Sequence, residues 1–206
     1  MSLLPLPWHL LPYPLTVLHV RTTGPLRHAD RVCEIAALRV EPDRPPRWLD
    51  SRVDPDADHL FTGVPGFQHL IPDLRSMLEG AVVLCHDAGS HAAFLDAELR
   101  RLGGAWGGAT LCTHELARVL HPRMTAHDLD RLAPELGLPP VERRAFSRAR
   151  ATAGVLRALV ERFEDDELLA DLIRSAVRIP PSPTRWPPIV GSLVPAMPSR
   201  ASRQQA

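Results

Sequence analysis

The sequence predicts an α/β fold built on a mixed five-stranded sheet flanked by helices, and three observations carry that prediction. Three β-rich stretches come first, separated by turn residues. Helical and strand patterns alternate after them. The short run Ala81–Cys85 is wholly apolar, as a strand at the buried centre of a sheet requires. The resulting order β-β-β-α-β-α-β-α-α-α puts helices on the faces of the sheet. With 206 residues the chain has room for one such domain and its tails, and can bury a sizeable core.

Each element follows from local pattern. Leu15–Val20 (LTVLHV) is β-branched and leucine-rich, and Thr22-Thr23-Gly24-Pro25 breaks it. Val32–Val40 is a second strand and Arg47–Val53 alternates like a third, with Pro and Asp between them as a turn wants. Apolar residues at Phe67, Leu70, Ile71, Leu74 and Leu78 have helical spacing. A second helix spans Ala92–Leu102 and stops at Gly103-Gly104. Ala109–Cys112 is an edge strand, and Glu115–Leu120 and Ala126–Leu136 are helices, the latter ended by Gly137. Ser147–Phe163 is a long amphipathic helix with Ser147 as its N-cap. Four segments result: an apolar, Pro-rich segment 1–14, a domain 15–163, a C-terminal helix 164–178, and a Pro-rich tail 179–206 expected to lack fixed structure.

Composition narrows the function. The chain has 24 basic and 24 acidic side chains, so attraction to nucleic acid requires a local patch rather than a whole-protein field. All the basic residues are Arg, with planar forks suited to phosphate and carboxylate. Cys33, Cys85 and Cys112 lie in or beside apolar runs without metal-ligand spacing, which reads as reduced thiols and a cytoplasmic location. The N-terminal segment lacks a basic start and a small-residue cleavage site, so it is not read as a signal peptide. No apolar run is long enough to span a bilayer.

Four stretches then resemble one family in order and spacing. They are LTVLHVRTTG with RVCEIAALRV, VVLCHDAGSHAAFLDAEL, LCTHELARVLHP with HDLDRLAPELGL, and RRAFSRARATAGVL. Together they resemble the DnaQ family of DEDDh 3′–5′ exonucleases, and cover about residues 15–163. The resemblance implies a ribonuclease H-like fold and phosphodiester hydrolysis by two divalent ions roughly 4 Å apart. It also implies a nest of carboxylates to hold those ions, and a His as general base.

Position by position, the resemblance implies that these groups have been replaced. His19 and Arg21 stand at the first-strand Asp and Glu, His91 at the second-motif Asp, Arg148 at the last-helix Asp, and Arg143 at the general base. The surrounding residues Thr22, Thr23, Gly24, Glu34, Phe94, Leu95, Ala149 and Thr152 match the family pattern. Each like-charge contact at 4 Å costs about 4 kcal/mol at an effective dielectric near 20, and a divalent ion facing two guanidiniums multiplies that. No metal and no cofactor are therefore expected, the ancestral Mg²⁺/Mn²⁺ sites being lost.

The expected function is a pseudo-exonuclease: a binding module for a phosphate-bearing ligand or single-stranded nucleic acid in the old cleft, or for a protein partner. Arg21, Arg148, His19 and His91 are the candidate anion-binding residues, with protonation of the two histidines strengthening binding below roughly pH 6.5. The competing arrangement pairs each Arg with a neighbouring acid. The tail, with Trp186 and the apolar patch Ile189–Val194, is the candidate protein-docking segment. The stretch between Val53 and Phe67 is shorter than the resemblance implies for active relatives. Two other readings stand beside this one: an active 3′–5′ exonuclease using displaced ligands, and zinc held by His19 and His91 with His86 or Asp87.

Overall fold

The computed structural model describes residues 13–42, 44–56, 63–161 and 166–189. Five strands form one sheet: β1 (Leu15–Thr22), β2 (Val32–Val40), β3 (Arg47–Arg52), β4 (Val82–Cys85) and β5 (Thr110–Cys112). Their order across the sheet is β3-β2-β1-β4-β5. β1, β2 and β3 form an antiparallel meander, and β4 and β5 add in parallel on the far side of β1, so the sheet is mixed. Crossover helices explain the change: parallel neighbours need a long connection, and α1 (Ile71–Leu78) and α2 (Ala88–Arg101) supply it.

Strand periodicity sorts the core into two layers. Leu15 and Val17 of β1 share one cluster with Leu84, Leu111 and the apolar faces of α3 (Thr113–Leu120), α4 (Leu129–Glu135), α5 (Ala145–Glu161) and α6 (Asp166–Ala176). Leu18 and Val20 belong to the other cluster, with Phe67, Leu74, Leu95 and Leu99 from the α1–α2 side. β4 is buried along its whole length, which is why it is apolar throughout.

Several boundaries move, for identifiable reasons. The stretch Phe67–Leu78 is a 3-10 turn (Phe67–Leu70) followed by α1, whose first turn takes Pro72, a position where a missing N–H costs nothing. α2 begins at Ala88, four residues before the expected Ala92, because Asp87 adopts φ 69° and caps the helix by accepting from the Ser90 amide. The low propensity of Gly89 and Ser90 hides that first turn. α4 starts at Leu129 behind its own N-cap, Asp128. α5 starts at Ala145, so Ser147 lies inside the first turn rather than capping it. The Ser147 hydroxyl instead accepts from the Glu142 amide at 3.1 Å.

The tail also differs from expectation. Over 178–186 it runs as an ordered strap along the β5 side. Arg178 exchanges both backbone hydrogen bonds with Thr110, and Arg185 does the same with Ala105. The Trp186 ring packs edge-on against Trp106 at 6.5 Å between centroids. Residues 190–206, including most of the Ile189–Val194 patch, lie outside the described residues, as do 1–12 and 57–62. Among the described residues, no helix is long and apolar enough to cross a membrane.

Candidate functional site

The site forms where β1 outruns its parallel neighbour. β4 pairs with β1 only as far as Val17↔Leu84. The amide of Val20 therefore meets no strand partner on that side and donates to His91 Nδ1 at 3.4 Å, from the first turn of α2. That bond requires the neutral tautomer of His91 with its proton on Nε2. His19 lies beside it with ring centroids 4.4 Å apart, edge to face, and its Nδ1 is buried with no hydrogen-bond partner among the described residues. His86, at the end of β4, is fixed on both sides: Thr113 Oγ1 lies 2.9 Å from Nδ1, and the His127 carbonyl 2.8 Å from Nε2. His114 stacks edge-on against both His86 and His127.

Arginines surround these imidazoles, each held by an acid. Arg148 in the first turn of α5 makes a forked contact with Asp130 of α4, at 3.0 and 3.4 Å. Arg21 donates to Glu34 Oε2 at 2.7 Å, while Arg144 donates to Glu34 Oε1 at 2.6 Å. One buried carboxylate thus ties the end of β1 to the start of α5 through β2. Burial alone would push the Glu34 carboxyl up, but the hydrogen bonds from Arg144 and Arg21 outweigh it and hold it below the usual range. Arg52 sits in register with Glu34 on β3, as Arg21 does on β1, so the row reads Arg21–Glu34–Arg52. Arg143 is exposed just before α5 and is not among the groups whose charge acts on His19.

The electrostatics follow from burial and these neighbours. His19 is pulled down to about 2, first by burial and then by His91, Arg148, Arg21 and His86, all acting in the same direction. His86 and His91 are each pulled down to about 4, mainly by burial. The expectation that His19 and His91 charge up below roughly pH 6.5 therefore needs correction: both stay neutral through mildly acid pH, because a buried imidazolium beside guanidiniums is doubly disfavoured. The fixed positive charge of the cleft therefore comes from arginine, with Asp87, Asp130 and Glu34 set against it.

The same field tests the metal ions that the resemblance implies. The guanidiniums of Arg148 and Arg21, which add to burial in lowering His19, repel a divalent cation more strongly than a proton. Among the described residues, no three His, Cys, Asp or Glu side chains are grouped to share a cation. His86, named as a third zinc ligand, has both ring nitrogens committed, and Asp87 is committed as the α2 cap. The residues present do not fit a pair of divalent ions.

Of the residues named from sequence, the fold packs His19 against His91, brings the charge of Arg148 to bear on both and that of Arg21 on His19. Reading the sequence missed Asp130 as the partner of Arg148 and the sharing of Glu34. A lone acid within the apolar strand VCEIAAL is a signal for the second, since such a group must be paired. It also missed Arg31–Glu98, where buried Glu98 accepts from Arg31 Nε at 2.9 Å and Nη2 at 3.0 Å, and from the Val32 amide at 2.9 Å.

Comparison with known proteins agrees with this architecture. No family model matches the chain. It is 23% identical over 163 residues to a PolC-type DNA polymerase III of Caldanaerobacter subterraneus subsp. tengcongensis, covering 72% of this chain and 12% of that protein. The PolC-type enzyme of Staphylococcus epidermidis is also 23% identical, over 164 residues, with 72% and 11% covered. The chain thus spans only a small part of the curated relatives it matches. Among solved structures, an exonuclease I from Methylocaldum szegediense superposes with a TM-score of 0.59 at 18% identity, covering 79% of this chain and 43% of that one. A product-bound exonuclease I gives 0.61 at 14% identity, covering 79% and 46%. A 3′-exonuclease that recognises the 3′ end of the histone mRNA stem-loop gives 0.57 at 8% identity, covering 86% and 74%.

Proposed function

Because the chain has the ribonuclease H-like fold of the DnaQ-type exonucleases, we propose that it is a non-hydrolysing member of that fold whose cleft binds a phosphate-bearing ligand. One observation carries this reading: the guanidiniums of Arg148 and Arg21 both bring positive charge to bear on His19, which makes the floor of the cleft hostile to a cation. The chemistry of the fold, which relies on metal ions held by carboxylates, has no purchase on such a surface. The protein then needs no cofactor.

What the arrangement suits is an anion. Arg148 presents its fork to Asp130, whose side chain is 59% exposed. A solvent-facing pair of this kind is worth little, so a phosphate group can take the place of the carboxylate at small cost. Arg21 and Arg144 share Glu34, and Arg144 also lies 3.8 Å from Asp50, so the fork of Arg148 is the group offered to a phosphate. The 3′ or 5′ phosphate of a mononucleotide or a short single strand meets these requirements. The three cysteines are free thiols, in keeping with a reducing cytoplasmic setting.

Calorimetric titration with pyrophosphate, a mononucleotide and a short single-stranded oligonucleotide tests the reading, alongside a hydrolysis assay on the same sample with Mg²⁺ or Mn²⁺. Salt-sensitive binding without hydrolysis is the expected result. Degradation of the strand by the parent protein, spared by the double variant Arg143→Ala/Arg148→Ala, would establish the enzyme with displaced ligands instead.

A further inference from the structure

At the opposite end of β1 from the cleft, the surface opens into a groove of about 580 Å³. Its walls are the α1–β4 turn, the approach to β5, the last turn of α6 and the strap. Apolar groups dominate it, with Tyr13, Trp106 and Trp186 supplying rings and Ile173, Val177 and Ile179 the aliphatic side. Ile179 is 78% exposed and Tyr13 49%, so this apolar lining faces solvent among the described residues. Trp106 has its indole N–H buried with no acceptor among the described residues, a donor that ordinarily finds a partner.

We propose that the groove is the docking site of residues 1–12 of this same chain. Three features select that occupant. The segment MSLLPLPWHLLP contains no Asp, Glu or Arg, and sets five Leu and Trp8 among prolines, the composition that an apolar, aromatic-walled groove accepts. Prolines at 5, 7 and 12 favour an extended backbone whose carbonyls make no internal hydrogen bonds, and so can accept from an indole N–H. Continuity settles the choice: the segment joins the domain at Tyr13, itself a wall of the groove. Tethering at the rim raises its effective concentration to roughly the millimolar range, which neither a separate protein nor a second copy matches at ordinary concentrations. Residues 190–206 also leave from near the groove, but carry Arg200 and Arg203 and a shorter apolar run.

Glycine amide resonances of the full chain test this, because Gly80, Gly107 and Gly108 line the groove while Gly24, Gly89 and Gly137 do not. Trp8→Asp should shift the first three and leave the second three in place, which also shows that the variant is folded. Synthetic peptide 1–12, added at millimolar concentration to that variant, should return the shifts toward the parent spectrum. Three results would overturn the proposal. One is no shift in the groove glycines. Another is the same shift from Val194→Asp but not from Trp8→Asp, which assigns the groove to 190–206. The third is a parent spectrum that changes on dilution together with a halving of mass, which assigns it to a second copy.

Discussion

Arg148 and Asp130 bridge α5 to α4 at 3.0 Å, with the guanidinium largely buried and the carboxylate in solvent. The acid therefore occupies the place a ligand phosphate would take, and the two compete. Asp130→Asn should tighten pyrophosphate binding about two- to fivefold, the equivalent of an exposed pair worth up to about 1 kcal/mol. Arg148→Ala should abolish it. Calorimetry at low salt reads both, and weaker binding by the Asn variant would contradict the competition.

Acid should unfold this protein early. The folded values of His19 (about 2), His86 and His91 (about 4 each) lie below the ordinary value of 6.5, chiefly through burial. Below pH 6.5 the unfolded chain takes up protons that the folded chain refuses, so stability falls as pH falls. The slope is about 1.4 kcal/mol per pH unit per imidazole, continuing down to about pH 4 for His86 and His91. Above pH 6.5 these groups contribute no pH dependence. Thermal melting at pH 7.5, 6 and 5 should show a steep loss that His91→Gln makes shallower. Imidazole NMR titrations with midpoints near 6.5 would refute it.

Anion binding, by contrast, should not depend on histidine charge. Affinity for pyrophosphate should be nearly equal at pH 8 and pH 6 once ligand protonation is accounted for, and should fall with added salt. A marked rise toward pH 6 that disappears in His19→Gln would show the imidazoles to be protonated in the cleft.

Divalent cations should leave the protein indifferent. A ligand that binds only the folded state raises the melting temperature in proportion to its occupancy. Millimolar Mg²⁺ or Mn²⁺ should produce no rise, and no release of nucleotides from single-stranded DNA. A saturable rise that Asp87→Asn removes would point to a cation site around that carboxylate.

Glu98 offers a test of the scaffold away from the cleft. It is 1% exposed and accepts from Arg31 and the Val32 amide. Glu98→Ala takes this carboxylate from two guanidiniums, Arg31 and Arg101, and from a backbone N–H, and should cost roughly 3–5 kcal/mol. Chemical denaturation measures it; a loss under about 1 kcal/mol would mean that water replaces the carboxylate.

The sheet was legible in the sequence because its signals are local. Val32–Val40 reads as a strand from nine consecutive residues, and the apolar AVVLC could only be buried. Helix starts were less so. α2 begins on Asp87 in a left-handed conformation, which no periodicity reports, and α5 begins before the Ser147 that resembles a cap. At the site, the resemblance named His19, Arg21, His91 and Arg148, but the partners of those residues depend on contacts distant in sequence. Arg144 meets Glu34 across 110 positions. The depressed values of the histidines likewise follow from burial, which residue identity does not contain.

The strap over β5 bears on how the molecule behaves in a crowded solution. A sheet of this kind has two open margins, and each is a template onto which a foreign chain can hydrogen-bond. On one margin Arg178 and Arg185 occupy backbone groups of Thr110 and Ala105. On the other, β3 presents exposed Arg47, Asp50 and Arg52, charges that resist stacking by another strand. The two margins are thus defended differently, one by occupancy and one by repulsion. Losing the strap would remove only the first, exposing the β5 margin to a foreign strand while β3 keeps its charges.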